Sequence, residues 1–211
     1  MKNPIFILFI LLFVRLDSFA QNKKAGGPCE GCEAIYESPV QFEKLDMFVR
    51  MPDVKDNSLN RLGINGTVYK ADGKTPAPDV VLYIYHTNPK GIYAKKGNEK
   101  GWAKRHGYIR GWMKTDAKGE YKFVTIRPGP YPDHSEPAHI HITIKEPDKN
   151  EYYIDEYLFS DDPLLTSERQ KKLDNRGGSG ILKLVDVGEG MYKGERNIYL
   201  GKNIPDYPLQ K

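Results

Sequence analysis

Residues 121–144, YKFVTIRPGPYPDHSEPAHIHITI, constrain this chain more than any other stretch. The pattern reads as strand, tight Pro-Gly loop, strand. A strand over 138–144 puts His139, His141 and Thr143 on one face, because side chains alternate. Ala138, Ile140, Ile142 and Ile144 then share the other face, and that aliphatic surface requires a core to bury it. Two imidazoles two residues apart on a strand project the same way and form a bidentate claw for a metal. The alternative is a pair of surface or hydrogen-bonded histidines. Tyr131 precedes His139 by eight residues, across a loop stiffened by Pro128, Pro130, Pro132 and Pro137 around Gly129. Those prolines lower the entropy lost in holding one loop shape. His134 lies in the same loop, and its spacing leaves its direction open.

The rest of the chain repeats the strand signal. Residues 64–70, 80–86, 108–114, 120–126 and 151–160 are rich in β-branched and aromatic residues or alternate in polarity. Turn sequences such as Ala71-Asp72-Gly73-Lys74, Asn88-Pro89-Lys90-Gly91 and Asp116-Ala117-Lys118-Gly119 separate them. Residues 94–107 form a charged loop, 164–175 a short helix, and 181–187 with 192–199 a closing hairpin. Many short strands without βα alternation or internal repeats predict an all-β fold, an antiparallel β-sandwich or barrel with short helical and loop additions. The sandwich domain is expected over 63–211, with 21–62 as a leader that wraps it. Asn65-Gly66-Thr67 is formally a glycosylation sequon and equally a strand start.

Residues 1–20 read as a secretory signal peptide. Lys2 precedes the apolar run IFILFILLFV, and Ser18-Phe19-Ala20 is a small-x-small cleavage site. The run is too short for a bilayer, which needs about 20 apolar residues; an uncleaved anchor is the competing reading. Cleavage after Ala20 implies a secreted or periplasmic protein with no stable membrane insertion. Cys29 and Cys32 are the only cysteines, and in an exported chain a local disulfide is the plainer expectation. The formal net charge is +4, with both signs interspersed. No basic stripe with interleaved aromatics is present, so nucleic acid is not an expected partner. Oligomeric state is left open.

If tyrosines complete the histidine pair, the metal is constrained. A phenol titrates near ~10, so binding it as phenolate at neutral pH needs a shift of about three units, or about 4 kcal/mol. A hard trivalent ion suits anionic oxygen donors better than a borderline divalent one. Two phenolates and two imidazoles therefore favour iron(III).

The segments GTVYKADGKTPAPDVVLYIYHTNPKGIY, RGWMKTDAKGEYKFVTIRPGPYP and PAHIHITI, in that order, resemble the intradiol ring-cleavage dioxygenases of the catechol and protocatechuate 3,4-type. The likeness runs from about Gly66 to Phe159. It implies a β-sandwich core and a non-haem Fe(III) centre. It also implies O2 and a catechol-like substrate as reaction partners, with cleavage between the hydroxyl-bearing carbons. Tyr93 in Asn88-Pro89-Lys90-Gly91-Ile92-Tyr93 matches the family's first tyrosine ligand, and Tyr131 matches the second. His139 and His141 match the paired histidines. The resemblance assigns Tyr131 the role of the ligand that leaves, taking up a proton, when the diol chelates. Two positions depart from the pattern. Glu136 stands where the family carries an arginine, and Glu156 aligns with a glutamine beside the metal. Arg127 and Arg110 are the candidate substitute cations, and the catalytic set is read as Tyr131, Glu136, Arg127 and Glu156. Two other readings compete: an exported module that keeps the metal site and binds phenols without efficient turnover, and an envelope protein whose histidines and tyrosines are ordinary sandwich residues.

Overall fold

The HIH strand lies at the centre of one of two packed sheets. The structure is a computed structural model describing residues 24–52 and 60–208; the signal-peptide reading concerns residues outside that range. Twelve strands are present among the described residues: β1 Phe48–Arg50, β2 Arg61–Tyr69, β3 Val81–His86, β4 Arg110–Lys114, β5 Glu120–Ile126, β6 His139–Lys145, β7 Glu151–Tyr153, β8 Tyr157–Phe159, β9 Ile181–Leu182, β10 Val185–Asp186, β11 Met191–Glu195 and β12 Ile198–Tyr199. One sheet runs β1-β5-β2-β11-β10, with β12 also on β2. The other runs β4-β3-β6-β8-β9, with β7 also on β6. Among the described residues helix is confined to two short turns, α1 Ala103–His106 and α2 Ser167–Gln170, and 3-10 segments at Cys32–Glu37 and Phe42–Lys44.

The core forms between the sheets as the alternation demands. Ile140, Ile142 and Ile144 of β6, Leu82 and Ile84 of β3, and Leu62 and Ile64 of β2 are all buried, with Phe123 and Tyr121 of β5. The chain is thus an all-β sandwich. The long ladders β2–β5, β3–β4 and β3–β6 are antiparallel, as expected. Parallel pairing appears at β1–β5, β8–β9, β11–β2 and β12–β2, where distant segments join the sheets.

Three expectations are corrected. The strand expected over 151–160 breaks between β7 and β8. There the Asp155 carboxylate accepts the backbone N–H groups of Asn175 and Arg176, and its carbonyl accepts from Arg196. The helix expected over 164–175 is reduced to α2, with Thr166 Oγ1 capping the Arg169 N–H. The closing hairpin survives only as the β10–β11 pair, since β9 joins the opposite sheet beside β8. The two cysteines form the expected disulfide.

His86 at the end of β3 is fully enclosed. Its Nδ1 donates to the Thr87 carbonyl at 2.7 Å and its Nε2 accepts from Thr125 Oγ1 at 2.7 Å. Burial pushes its pKa down to about 4. The unfolded chain takes up this proton near ~6.5, so stability falls as pH drops from there towards 4. His86→Gln should flatten that slope. Between pH 7 and 5, urea melts of the variant should lose about 2 kcal/mol less stability than the parent. Equal pH slopes would rule the assignment out.

Candidate metal centre

Two loops carry the tyrosines, and each locks the other. After β3, Asn88 Oδ1 accepts the N–H groups of Lys90 and Ile92, closing the turn that leads to Tyr93. The Gly129 N–H donates to the Asn88 carbonyl at 3.0 Å, and Thr87 Oγ1 donates to the Gly129 carbonyl at 3.0 Å. Both glycines are needed for this approach. A Cβ on Gly91 would lie 1.9 Å from the Pro130 carbonyl oxygen, and one on Gly129 would lie 2.2 Å from that of Pro89. The NPKG and PGP sequences therefore interlock and bring the two phenols to β6.

Four donor atoms meet there. Tyr93 Oη lies 2.9 Å from Tyr131 Oη and 2.8 Å from His141 Nε2, and His139 Nε2 lies 3.0 Å from His141 Nε2. Each histidine has its far nitrogen oriented. His139 Nδ1 donates to the Pro137 carbonyl at 2.7 Å, which makes its Nε2 a lone pair facing the cluster. His141 Nδ1 faces the Glu156 carboxylate at 3.6 Å. Burial opposes ionisation of Glu156, but the His141 ring outweighs it and holds the carboxyl at about 2.

Counting protons exposes a mismatch. Tyr131 can donate to Tyr93, and Tyr93 to His141 Nε2. That leaves the His139 and His141 Nε2 lone pairs opposed at 3.0 Å with no proton between them. Moving the His141 proton to Nε2 relieves that contact but turns the Nδ1 lone pair towards the Glu156 carboxylate. Either tautomer leaves two electron-rich atoms facing each other. A positive charge removes the conflict: either a second proton on His141, whose two N–H groups then face Glu156 and His139 Nε2, or a metal ion among the four donors. Without one, burial and the hydrogen bond to Tyr131 hold the Tyr93 phenol far above its usual range. A cation's charge inverts that preference. Among the described residues no group of three or more His, Cys, Asp or Glu side chains converges on a metal position. The phenols are therefore essential to the donor set.

A cavity of about 460 Å³ opens onto this cluster. Tyr131, His139, His141 and Glu156 are among its lining residues, and Tyr93, which is not, reaches Tyr131 at 2.9 Å. Pro137, Leu158, Leu165 and Leu173 supply apolar wall, while Glu136, Arg169 and Lys172 supply further charge. Arg127 is not among the lining residues; its guanidinium makes a two-pronged pair with Asp161, at 2.7 Å on each arm. Arg110 likewise pairs with Glu37. His134 sits on the exposed tip of its loop.

Sequence reasoning missed two parts of the surroundings. Tyr85 stacks on the His141 ring at 4.5 Å and His106 on Tyr85 at 3.7 Å, which braces that imidazole. Alternation along VLYIYH could have found Tyr85, since it pairs with His141 across β3 and β6. Arg169 and Lys172 gave no such signal, being 28 or more residues from the histidines on a segment of unremarkable pattern.

Comparison with known proteins bears on the family and the fold. The chain is 33% identical over 87 residues to catechol 1,2-dioxygenase of Acinetobacter baylyi, covering 40% of this chain and 26% of that one. It is 30% identical over 111 residues to the protocatechuate 3,4-dioxygenase beta chain of Burkholderia cepacia, covering 50% and 47%. The matched part thus spans about a quarter to a half of those relatives. Among solved structures, 3-chlorocatechol 1,2-dioxygenase of Rhodococcus opacus 1CP superposes with a TM-score of 0.56 at 22% identity, over 72% of this chain and 64% of that one. The dioxygenase domain of a dioxygenase and carbohydrate-binding fusion from Streptomyces sp. SirexAA-E superposes with a TM-score of 0.53 at 21% identity, over 70% and 83%. At those identities the superpositions speak for the fold. A family model described as Dioxygenase matches residues 37–176, and by that match, with the curated relatives beside it, the chain belongs to the intradiol dioxygenase family.

Proposed function

We propose that Tyr93, Tyr131, His139 and His141 hold a ferric ion, and that the protein uses O2 to cleave catechol-type rings between their hydroxyl-bearing carbons. The observation that carries this reading is the donor cluster: two imidazole nitrogens and two phenol oxygens within hydrogen-bond distance of one another. Ferric iron would supply Lewis acidity towards a chelated catecholate, activating the ring for O2 and opening it to a muconate-type diacid.

The protein's own part follows from position. Tyr131 lines the cavity while Tyr93 does not, so Tyr131 is the phenol an arriving diol meets. It is the group placed to take a proton from the substrate as the diol takes its place. Tyr93, braced between Tyr131 and His141, stays. Glu156 and Tyr85 fix the His141 ring, and second contacts of this kind commonly set ligand orientation and basicity. The apolar wall of Pro137, Leu158, Leu165 and Leu173 seats the ring and excludes water. We also read the protein as exported, a view supported by the apolar run at residues 5–14 and by the Cys29–Cys32 disulfide.

An electronic spectrum tests the site and the turnover separately. As-isolated protein from iron-rich medium should show a visible phenolate-to-iron(III) band that shifts on addition of catechol, with oxygen consumed alongside. Protein that is colourless and iron-free would refute the metal reading. A catechol-dependent spectral shift without oxygen uptake would instead favour a phenol-binding module.

A further inference from the structure

The residue that departs most sharply from the family pattern has a partner. Glu136 Oε2 accepts from Arg169 Nη1 at 2.8 Å, and Arg169 Nη2 donates to the Ser135 carbonyl at 2.6 Å. Arg169 belongs to α2, and Lys172, just beyond that helix, lines the same cavity. Lys172 has no carboxylate partner among the described residues. The cavity lining thus carries two cations, Arg169 and Lys172, and two anions, Glu136 and Glu156. Glu136 faces Arg169 and Glu156 faces His141, which leaves Lys172 as the lining charge with no opposite charge against it.

We propose that Arg169 and Lys172 form an anion-recognising subsite that selects catechols bearing a carboxylate on the ring, and that Glu136 is the internal anion which such a substituent displaces. The inference rests on the reading above that the diol faces Tyr131 and the histidines. Arg169 and Lys172 line the same cavity as Tyr131 and the histidines, so a ring seated there has both cations in its walls. A neutral substituent leaves the Glu136–Arg169 pair intact and gains nothing from Lys172. An acidic one meets an uncompensated ammonium directly. The pair it must open is easily exchanged, because both side chains are substantially exposed, 38% for Arg169 and 54% for Glu136. Arg169 is suited to a second carboxylate because its planar fork accepts one two-pronged. The charge at the mouth is thus restored from α2 rather than from the loop before His139.

Anaerobic calorimetry on the iron-loaded protein tests this with two ligands of similar size, 3,4-dihydroxybenzoate and 4-methylcatechol. The wild type should bind the acid more tightly, and added salt should shrink that preference. Lys172→Glu should lower the acid-to-methyl affinity ratio by about tenfold, as expected when a complementary charge becomes a like one. Glu136→Gln should raise the ratio, because it frees Arg169. A wild-type preference for 4-methylcatechol, or a ratio that neither substitution moves, overturns the subsite while leaving the metal reading intact. Failure of both ligands to bind iron-loaded protein overturns both.

Discussion

His141→Ala is expected to remove the visible iron band and catechol-dependent oxygen uptake together, with a fall in iron affinity of more than about 100-fold. The magnitude follows from what the ring does. Partners that merely orient a ligand already cost about 10–100-fold in metal affinity when lost, and His141 is itself the nitrogen nearest Tyr93, at 2.8 Å. Its loss also deprives Tyr93 of its acceptor. Glu156→Gln gives the graded comparison. An amide at that position can still face His141 Nδ1 through its carbonyl, so iron should be retained with affinity reduced by at most about 100-fold. Iron content by metal analysis and circular dichroism of the same samples separate a lost ligand from a lost fold. If His141→Ala binds iron as the parent does, the four-donor assignment is wrong.

Local chemistry made the strands around the site legible, and distant chemistry concealed the rest. β5 lies where alternation in EYKFVTI places it: Glu120 and Lys122 meet solvent while Tyr121 and Phe123 meet the core, and from Phe123 to Ile126 both faces are buried. The strand containing His139 and His141 is displaced by a single residue from its expected start. The break after Tyr153 could not be read from EYYIDEYLFS. It is made by backbone groups of Asn175 and Arg176, about 20 residues away, that bind the Asp155 side chain. That break has a functional consequence, since it turns Glu156 towards His141. Arg127 illustrates the opposite case. Its closeness in sequence to Tyr131 suggested a role at the mouth, whereas Asp161 holds its guanidinium elsewhere. Arg169, remote in sequence, reaches the cavity because α2 follows β8, which is paired with β6. Spacing in the chain predicts ligands carried on one strand or one tight loop. It does not predict a charge delivered from another layer.

Gly91→Ala should be the most damaging substitution outside the donor set. Two costs combine at this position. The backbone φ is 73°, a left-handed conformation that charges a side-chain-bearing residue about 1–2 kcal/mol. In addition, the new Cβ would lie 1.9 Å from the Pro130 carbonyl oxygen and 3.1 Å from the Tyr131 Cα, both backbone atoms that cannot rotate away. Relief requires the Tyr131 loop to retreat, which opens the contact between the two phenols. Gly188 supplies the control: its φ is 88°, but nothing lies within 4 Å of the position its Cβ would take. Gly188→Ala should therefore show the conformational cost alone, about 1–2 kcal/mol in urea unfolding. Gly91→Ala should exceed about 3 kcal/mol in the same assay with iron removed by chelator, within the range associated with strain at special backbone positions. It should also weaken iron binding when tested under conditions where the protein stays folded, because Tyr93 and Tyr131 no longer converge. A stability loss no larger than that of Gly188→Ala would show that the two loops are not interlocked, and with it remove the explanation for how residues 38 apart in the chain come to share one site.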